Sequence, residues 1–344
     1  MKKQKVFLAI LFALTVCLAP VPHSLAAEKI VIKLAHVDPI DICISKKGAA
    51  TRAFKEIVEA ESVGAIQVDL FPAGQLGGER ELIEATKLGT IQMSMVSGAI
   101  AGYFKPAMVL DIPYLFPSAA VAWKVLDGDF GRELANDILR AMGTRVLAYG
   151  ETGFRNFTNS KRVVKSPDDL KGLKIRVMET PLYVTMVKSL KADPTPIAWP
   201  ETYTALQQKV VDGQENPVSV ILQAKFAEVQ KYLTLDGHTY GADFLIINEK
   251  VFQGLSKEHQ QILKRAAIVA GACGRGIQQL NSAVGISELK KQGMEVYSPT
   301  AAERKAFMQA TQGPVIDWMK TQVDQAWIRK VQAAVTKAEA ELTK

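Results

Sequence analysis

From residue 30 onward the chain alternates between two hydrophobic patterns. Short runs rich in β-branched residues give way to longer stretches whose apolar positions recur every three or four residues. Residues 30–35 read as a first strand. Residues 48–61 read as a helix, with Ala49, Phe54, Ile57 and Val58 on one face. Residues 66–71 alternate like a strand and stop at Pro72; 79–88 form a short helix and 91–96 the next strand. Further strands are expected at 146–149, 173–177 and 244–247. Strands interleaved with helices in this way predict an α/β fold.

Two helix starts are legible in detail. Ser166, Pro167, Asp168 and Asp169 combine a cap, a proline at the first helical position and two acids at the positive helix end. Gly172 ends that turn and feeds the strand carrying Arg176. Thr300 and Glu303 form a capping box. Between Ser256 and Gln292 there is no proline, which predicts one helix of roughly 50 Å, long enough to cross two lobes. Gly271, Gly274, Gly276 and Gly285 argue against its continuity. Helix is also expected from Pro314 to the end.

The first residues have a different texture. Three lysines within 1–5 precede an apolar run at 6–19, too short to span a bilayer, and Ser24 to Ala27 supply a small-residue exit. This predicts a secretory leader, 1–26, cut near Ala26, and a periplasmic location. A lipoprotein reading fails because Val16, not a small residue, precedes Cys17. About 318 residues then remain, too many for one compact core. Without the leader's lysines, 39 basic residues face 35 acidic ones with no basic block, which argues against nucleic acid and leaves an anionic ligand compatible. Cys43 and Cys273 are far apart in sequence; export permits a disulfide, and unpaired buried thiols fit equally well.

Candidate chemistry is sparse. His36, His238 and His259 share no metal-ligand spacing, and no motif for a nucleophile or a phosphate loop occurs. Neither metal nor cofactor is expected. Two arginines stand out, Arg155 within a segment of mixed polarity and Arg176 inside an apolar strand. A buried guanidinium needs an anion, either a protein carboxylate or a ligand. Asn216 is held extended by Pro217, which gives its amide a defined direction.

The runs 166–177 (SPDDLKGLKIRV), 201–208 (ETYTALQQ), 211–217 (VDGQENP), 71–80 (FPAGQLGGER) and 224–232 (AKFAEVQKY) resemble the DctP-type binding proteins of TRAP transporters. The resemblance covers nearly all of the mature chain. It implies a bilobal α/β fold of the type II periplasmic-binding-protein kind, with crossing strands and a long helix spanning both lobes. The expected division is 27–152 plus 242–281 for the first lobe, 153–241 plus 282–344 for the second. The resemblance also implies that Arg176 clamps a carboxylate, with Arg155 as a second contact and Asn216 bonded to the same end. Partners would be a small organic carboxylate and the large and small TRAP membrane subunits, with the binding protein itself monomeric.

At the far end of the pocket, Ser97 and Ile100 stand where sialate-type members carry an acid and an arginine. That favours a smaller or more apolar acid. Trp199 falls where the family places a ring against the ligand, although core packing explains it as well. Glu79 matches a hydroxyl-contacting position or is simply solvated. His36 is expected to line the cleft, with Tyr103 and Phe104 adding apolar wall. Two rivals stay open: a sensory binding protein for a receptor kinase, and an enzyme using Glu215 or Asp212 as base.

Overall fold

The computed structural model describes residues 29–343; the leader expected at 1–26 lies outside them. In chain order the first part holds β1 (Ile30–Ala35), α1 (Lys46–Glu61), β2 (Ile66–Phe71), α2 (Glu79–Leu88), β3 (Met93–Val96), α3 (Ala119–Asp127) and α4 (Asp129–Met142). A long strand, β4 (Thr144–Asn159), leads into β5 (Lys174–Val177), α5 (Pro181–Ser189), β6 (Asp193–Pro196), α6 (Thr202–Gln207), β7 (Gly213–Asn216) and α7 (Val218–Gln223). A second long strand, β8 (Tyr232–Asn248), returns to α8 (Glu249–Gly254) and α9 (Lys257–Lys291). β9 (Glu295–Tyr297), α10 (Ala301–Met319) and α11 (Gln325–Leu342) close the chain.

All strands belong to one mixed sheet in the order β2-β1-β3-β8-β4-β7-β5-β6, with β9 added beside β8. β4 and β8 pair antiparallel along their whole length, from Thr144 opposite Asn248 to Asn159 opposite Tyr232. The early part of this ribbon joins β3, and the late part of β4 joins β7. Two half-sheets therefore share the same two central strands. Three register shifts interrupt the ribbon, at Val146/Ala148, Glu151/Gly153 and Arg155/Phe157. Bulges bend a strand and re-aim its side chains, and Gly153, at φ 100°, supplies the backbone conformation one of them needs.

A large apolar cluster includes Ile175, Val177 and Val187. Since strand side chains alternate, Arg176 between the first two must leave on the other face. Phe54, Val58 and Leu263 build a second core under β1 and β2, and Leu206, Phe226 and Leu289 a third beside α7. α9 is one continuous helix capped by Ser256, whose hydroxyl accepts from the His259 amide. It packs on α1 and β4 toward its start and on α7 and β9 toward its end. The capping box at Thr300 is present. That at Ser166 is present too, but it starts only a 3-10 turn, Pro167–Leu170. α10 lies on α5, whereas α11 lies on α3 and α4, so the last helix packs with the first part of the chain rather than with the second lobe expected for 282–344. Among the described residues no helix is long and apolar enough to cross a membrane. Cys43 is exposed, Cys273 half-buried, and both are free thiols.

Candidate functional site

One small cavity, about 50 Å³, opens between the half-sheets, and the side chains of Arg155, Arg176, Trp199, Asn216, Glu79 and Ser97 all line it. Arg176 is buried on β5. Its Nε and Nη2 donate to the Ile197 carbonyl at 2.9 and 2.6 Å, and its Nη1 is buried with no hydrogen-bond partner. No carboxylate among the described residues forms an ion pair with it. Burial lowers its pKa to about 10 from 12.5, which keeps the group charged at neutral pH. The Trp199 ring lies 5.8 Å from the guanidinium carbon, in cation–π range. A desolvated cation with unused donors is a site for an incoming anion.

Arg155 behaves differently. Its Nε bonds Glu215 Oε2, and Nη2 bonds Glu215 Oε1 at 2.7 Å and the Glu215 carbonyl at 2.6 Å. Arg155 thus forms a buried ion pair and lines the cavity as well, so its contact with a solute, expected to be the second one, falls to Nη1. The pairing follows from the fold, since β4 and β7 run side by side with Phe157 opposite Glu215. Burial would raise the Glu215 pKa, but Arg155 and His238 outweigh it and hold the carboxylate below its usual range. His238 Nε2 lies 3.2 Å from Glu215 and Nδ1 2.9 Å from Asp236. So engaged, Glu215 is a poor base. Asp212 caps the neighbouring backbone through Lys174 N at 2.9 Å and does not line the cavity. Asn216 donates to Gln214 Oε1 at 2.6 Å, which leaves its second amide hydrogen for the cavity.

The wall contributed by the first half-sheet is polar. Lys47 Nζ lies 2.6 Å from Glu79 and Lys46 Nζ 3.0 Å from Asp38 and 3.3 Å from Asp243. Glu79 also accepts from the Ser97 hydroxyl at 2.7 and 2.9 Å and from its amide at 3.0 Å. Burial would raise the Glu79 pKa, but Lys47 and Ser97 prevail and lower it. Glu79 is therefore buried and engaged rather than solvated. His36 is corrected as well: it is fully buried, bonds Thr51 Oγ1 at 3.2 Å through Nε2, and does not line the cavity. Burial, with Lys46 and Lys47 nearby, lowers its pKa to about 4, so it is neutral. Tyr103 bonds the Arg80 carbonyl and Glu84 and also lies away from the cavity, and Ile100 is core. The apolar character expected of the pocket is confined to its sides, where Met178, Trp199 and Val220 sit.

Asp38, Lys46, Lys47, Thr152 and Glu179 are the polar lining residues that motif reasoning missed. A signal existed. Lys46 and Lys47 precede Ala50, Phe54 and Val58 at helical spacing, so α1's buried stripe runs straight into them. Asp38 follows β1, on the carboxyl side of a strand pairing parallel with its neighbours, where α/β sheets hold ligands. The two halves meet at the rim: the Met178 methyl lies against Gly98, the Pro200 ring approaches Gly74 and Gly78, and Arg80 reaches Glu179 at 3.4 Å.

Two half-sheets closed over a cavity, with an unpaired guanidinium inside, define a two-lobed solute-binding protein. Among the described residues no cluster of side chains could hold a metal ion. Sequence comparison then narrows the class. Residues 44–322 match the family profile DctP, bacterial extracellular solute-binding protein, family 7, and the chain belongs to that family. It is 39% identical over 277 residues to the 2,3-diketo-L-gulonate-binding periplasmic protein of Escherichia coli, covering 80% of this chain and 84% of that one. A TRAP periplasmic solute-binding protein from Bordetella, with density assigned to pantoate, is 38% identical at a TM-score of 0.83, covering 88% and 99% of the two chains. One from Polaromonas bound to D-erythronate is 36% identical at the same TM-score, covering 89% and 98%.

Proposed function

We propose that this chain is an exported binding subunit that takes up a small organic acid by its carboxylate at Arg176 and delivers it to TRAP membrane subunits. The observation that carries this reading is the buried Arg176 guanidinium, whose Nη1 has no partner inside the protein. One hydrogen of Nη2 remains alongside Nη1, and the two form a fork matched to a carboxylate's oxygens. The relatives named above bind organic acids, and as binding proteins of transporters they favour capture over catalysis. The engaged state of Glu215 favours capture too.

Packing supports a revised division, in which residues 29–152, 242–281 and 325–342 make one lobe and 153–241 with 282–319 the other. The bulged β4–β8 ribbon would be the hinge between them, and closing it would strip water from the Arg176 pair and strengthen it. Replacing Arg176 by Ala should cost about 3–5 kcal/mol of binding to the acid recovered from the purified protein, the penalty of breaking a buried charge pair. Arg176→Lys, which cannot form the fork, should also be severe. Calorimetry showing less than about a tenfold loss in both variants would end the anchor role.

A further inference from the structure

We propose that the captured acid is a hydroxylated monocarboxylate, and that Asp38, Lys47 and Glu79 select it against dicarboxylates. This rests on the carboxylate capture proposed above and concerns the other end of the same ligand. The argument is one of charge and hydrogen-bond matching. At the anchor end Arg155 is already balanced by Glu215, so Arg176 alone offers an unmatched positive charge. One carboxylate satisfies it.

The facing wall has the opposite imbalance. Two ammonium groups, Lys46 and Lys47, are shared among three carboxylates, Asp38, Glu79 and Asp243. His36 behind them is neutral, so one negative charge is in excess. The lysine side chains are only 4% and 2% exposed, and water does little to screen such a cluster. A second carboxylate arriving here would either displace one of the existing ion pairs or sit unscreened beside an excess negative charge. An ammonium-bearing tail would meet Lys46 and Lys47 instead.

A hydroxyl group avoids both conflicts because it donates and accepts at once. It can give its hydrogen to Asp38 or Glu79 and take one from Lys46 or Lys47. A bare alkyl tail would strip water from these groups without replacing it, which sites built for hydroxyls reject strongly. The apolar sides formed by Met178, Trp199 and Val220 suit the C–H faces that remain on a polyhydroxylated chain.

The test is calorimetry on the full mature chain with two matched sets of acids. The four-carbon set is erythronate, succinate and butyrate; the six-carbon set is galactonate, adipate and hexanoate. The expected result is that the hydroxy acid of at least one set binds about 100-fold tighter than both of its partners. A dicarboxylate or bare acid binding within about tenfold of the best hydroxy acid would overturn the selection while leaving carboxylate capture standing. Absence of binding by all six would remove the capture reading itself. Glu79→Gln deletes the excess charge and frees Lys47, so it should shift the ratio of dicarboxylate to hydroxy-acid affinity upward by about tenfold or more. An unchanged ratio would show that Glu79 does not select. Asp38→Asn makes the same change in charge and serves if the first variant does not fold.

Discussion

His238 is held between two acids, Asp236 and Glu215, and stacks on Phe157 with ring centroids 4.3 Å apart. Burial alone would depress its pKa, but the two carboxylates outweigh burial and raise it to about 9. A group whose folded pKa is raised contributes stability that is complete below its unfolded value, near 6.5, and disappears as pH climbs through 9. Asp111 and Glu151, both pushed up to about 7 by burial, also lose stability as pH rises through the lower part of that window, in the parent and in a His238 variant alike. Between about pH 6.5 and 9.5 urea unfolding of the parent chain should therefore lose on the order of 3 kcal/mol more than that of His238→Gln. His238→Gln should start lower and decline less steeply. Parallel curves would show that the imidazole is not charged in the fold. Residues of this kind were the least legible in the sequence. Arg176 could be found because a charge inside an apolar strand is conspicuous. The pairing of Arg155 with Glu215, sixty positions apart, depends on which strands become neighbours, and no local pattern states that. Lys46 and Lys47 were hidden by the ordinary preference of lysine for solvent, although the phase of their own helix contradicts it.

Elements were read well where one pattern held from end to end. β1, β2 and α2 have the boundaries their periodicity predicts, and α9 begins and ends within a residue of the expected span. β4 and β8 were seen only as fragments, 146–149 and 244–247, because their remaining residues are mixed in polarity and interrupted by bulges. The four glycines of α9 raised doubt about its continuity, and packing explains three of them. A Cβ on Gly271 would stand 2.8 Å from the Tyr149 carbonyl, one on Gly274 3.0 Å from that of Lys46, and one on Gly285 2.8 Å from Val218. Bare backbone at these points lets the helix lie directly on β4, α1 and α7. Gly276 has nothing within 4 Å. Gly276→Ala should thus stabilise the protein by about 0.5–1 kcal/mol, since it removes only unfolded-state freedom. Gly271→Ala, which collides with main chain, should cost about 1–3 kcal/mol. Thermal melts ranking the two in the reverse order would refute this account of the helix.

For the molecule as a whole, Arg80 and Glu179 join the two sides of the cavity mouth at 3.4 Å. Arg80 is 55% exposed on its side chain, so the pair is worth at most about 1 kcal/mol. Arg80→Ala should speed ligand release up to about fivefold at low salt, and in 1 M salt the difference should vanish as screening removes the attraction. Stopped-flow release rates that match the parent at low ionic strength would show that the contact does not hold the mouth shut.

The β4–β8 ribbon that serves both sides has an evolutionary corollary. Neither side possesses a sheet it could carry away, because its innermost strand continues into the other. A transplanted side would arrive with a row of backbone amides and carbonyls lacking partners, which a folded chain does not tolerate. Descendants of this architecture can acquire new cargo by exchanging side chains around the cavity, but not by recombining lobes like interchangeable modules.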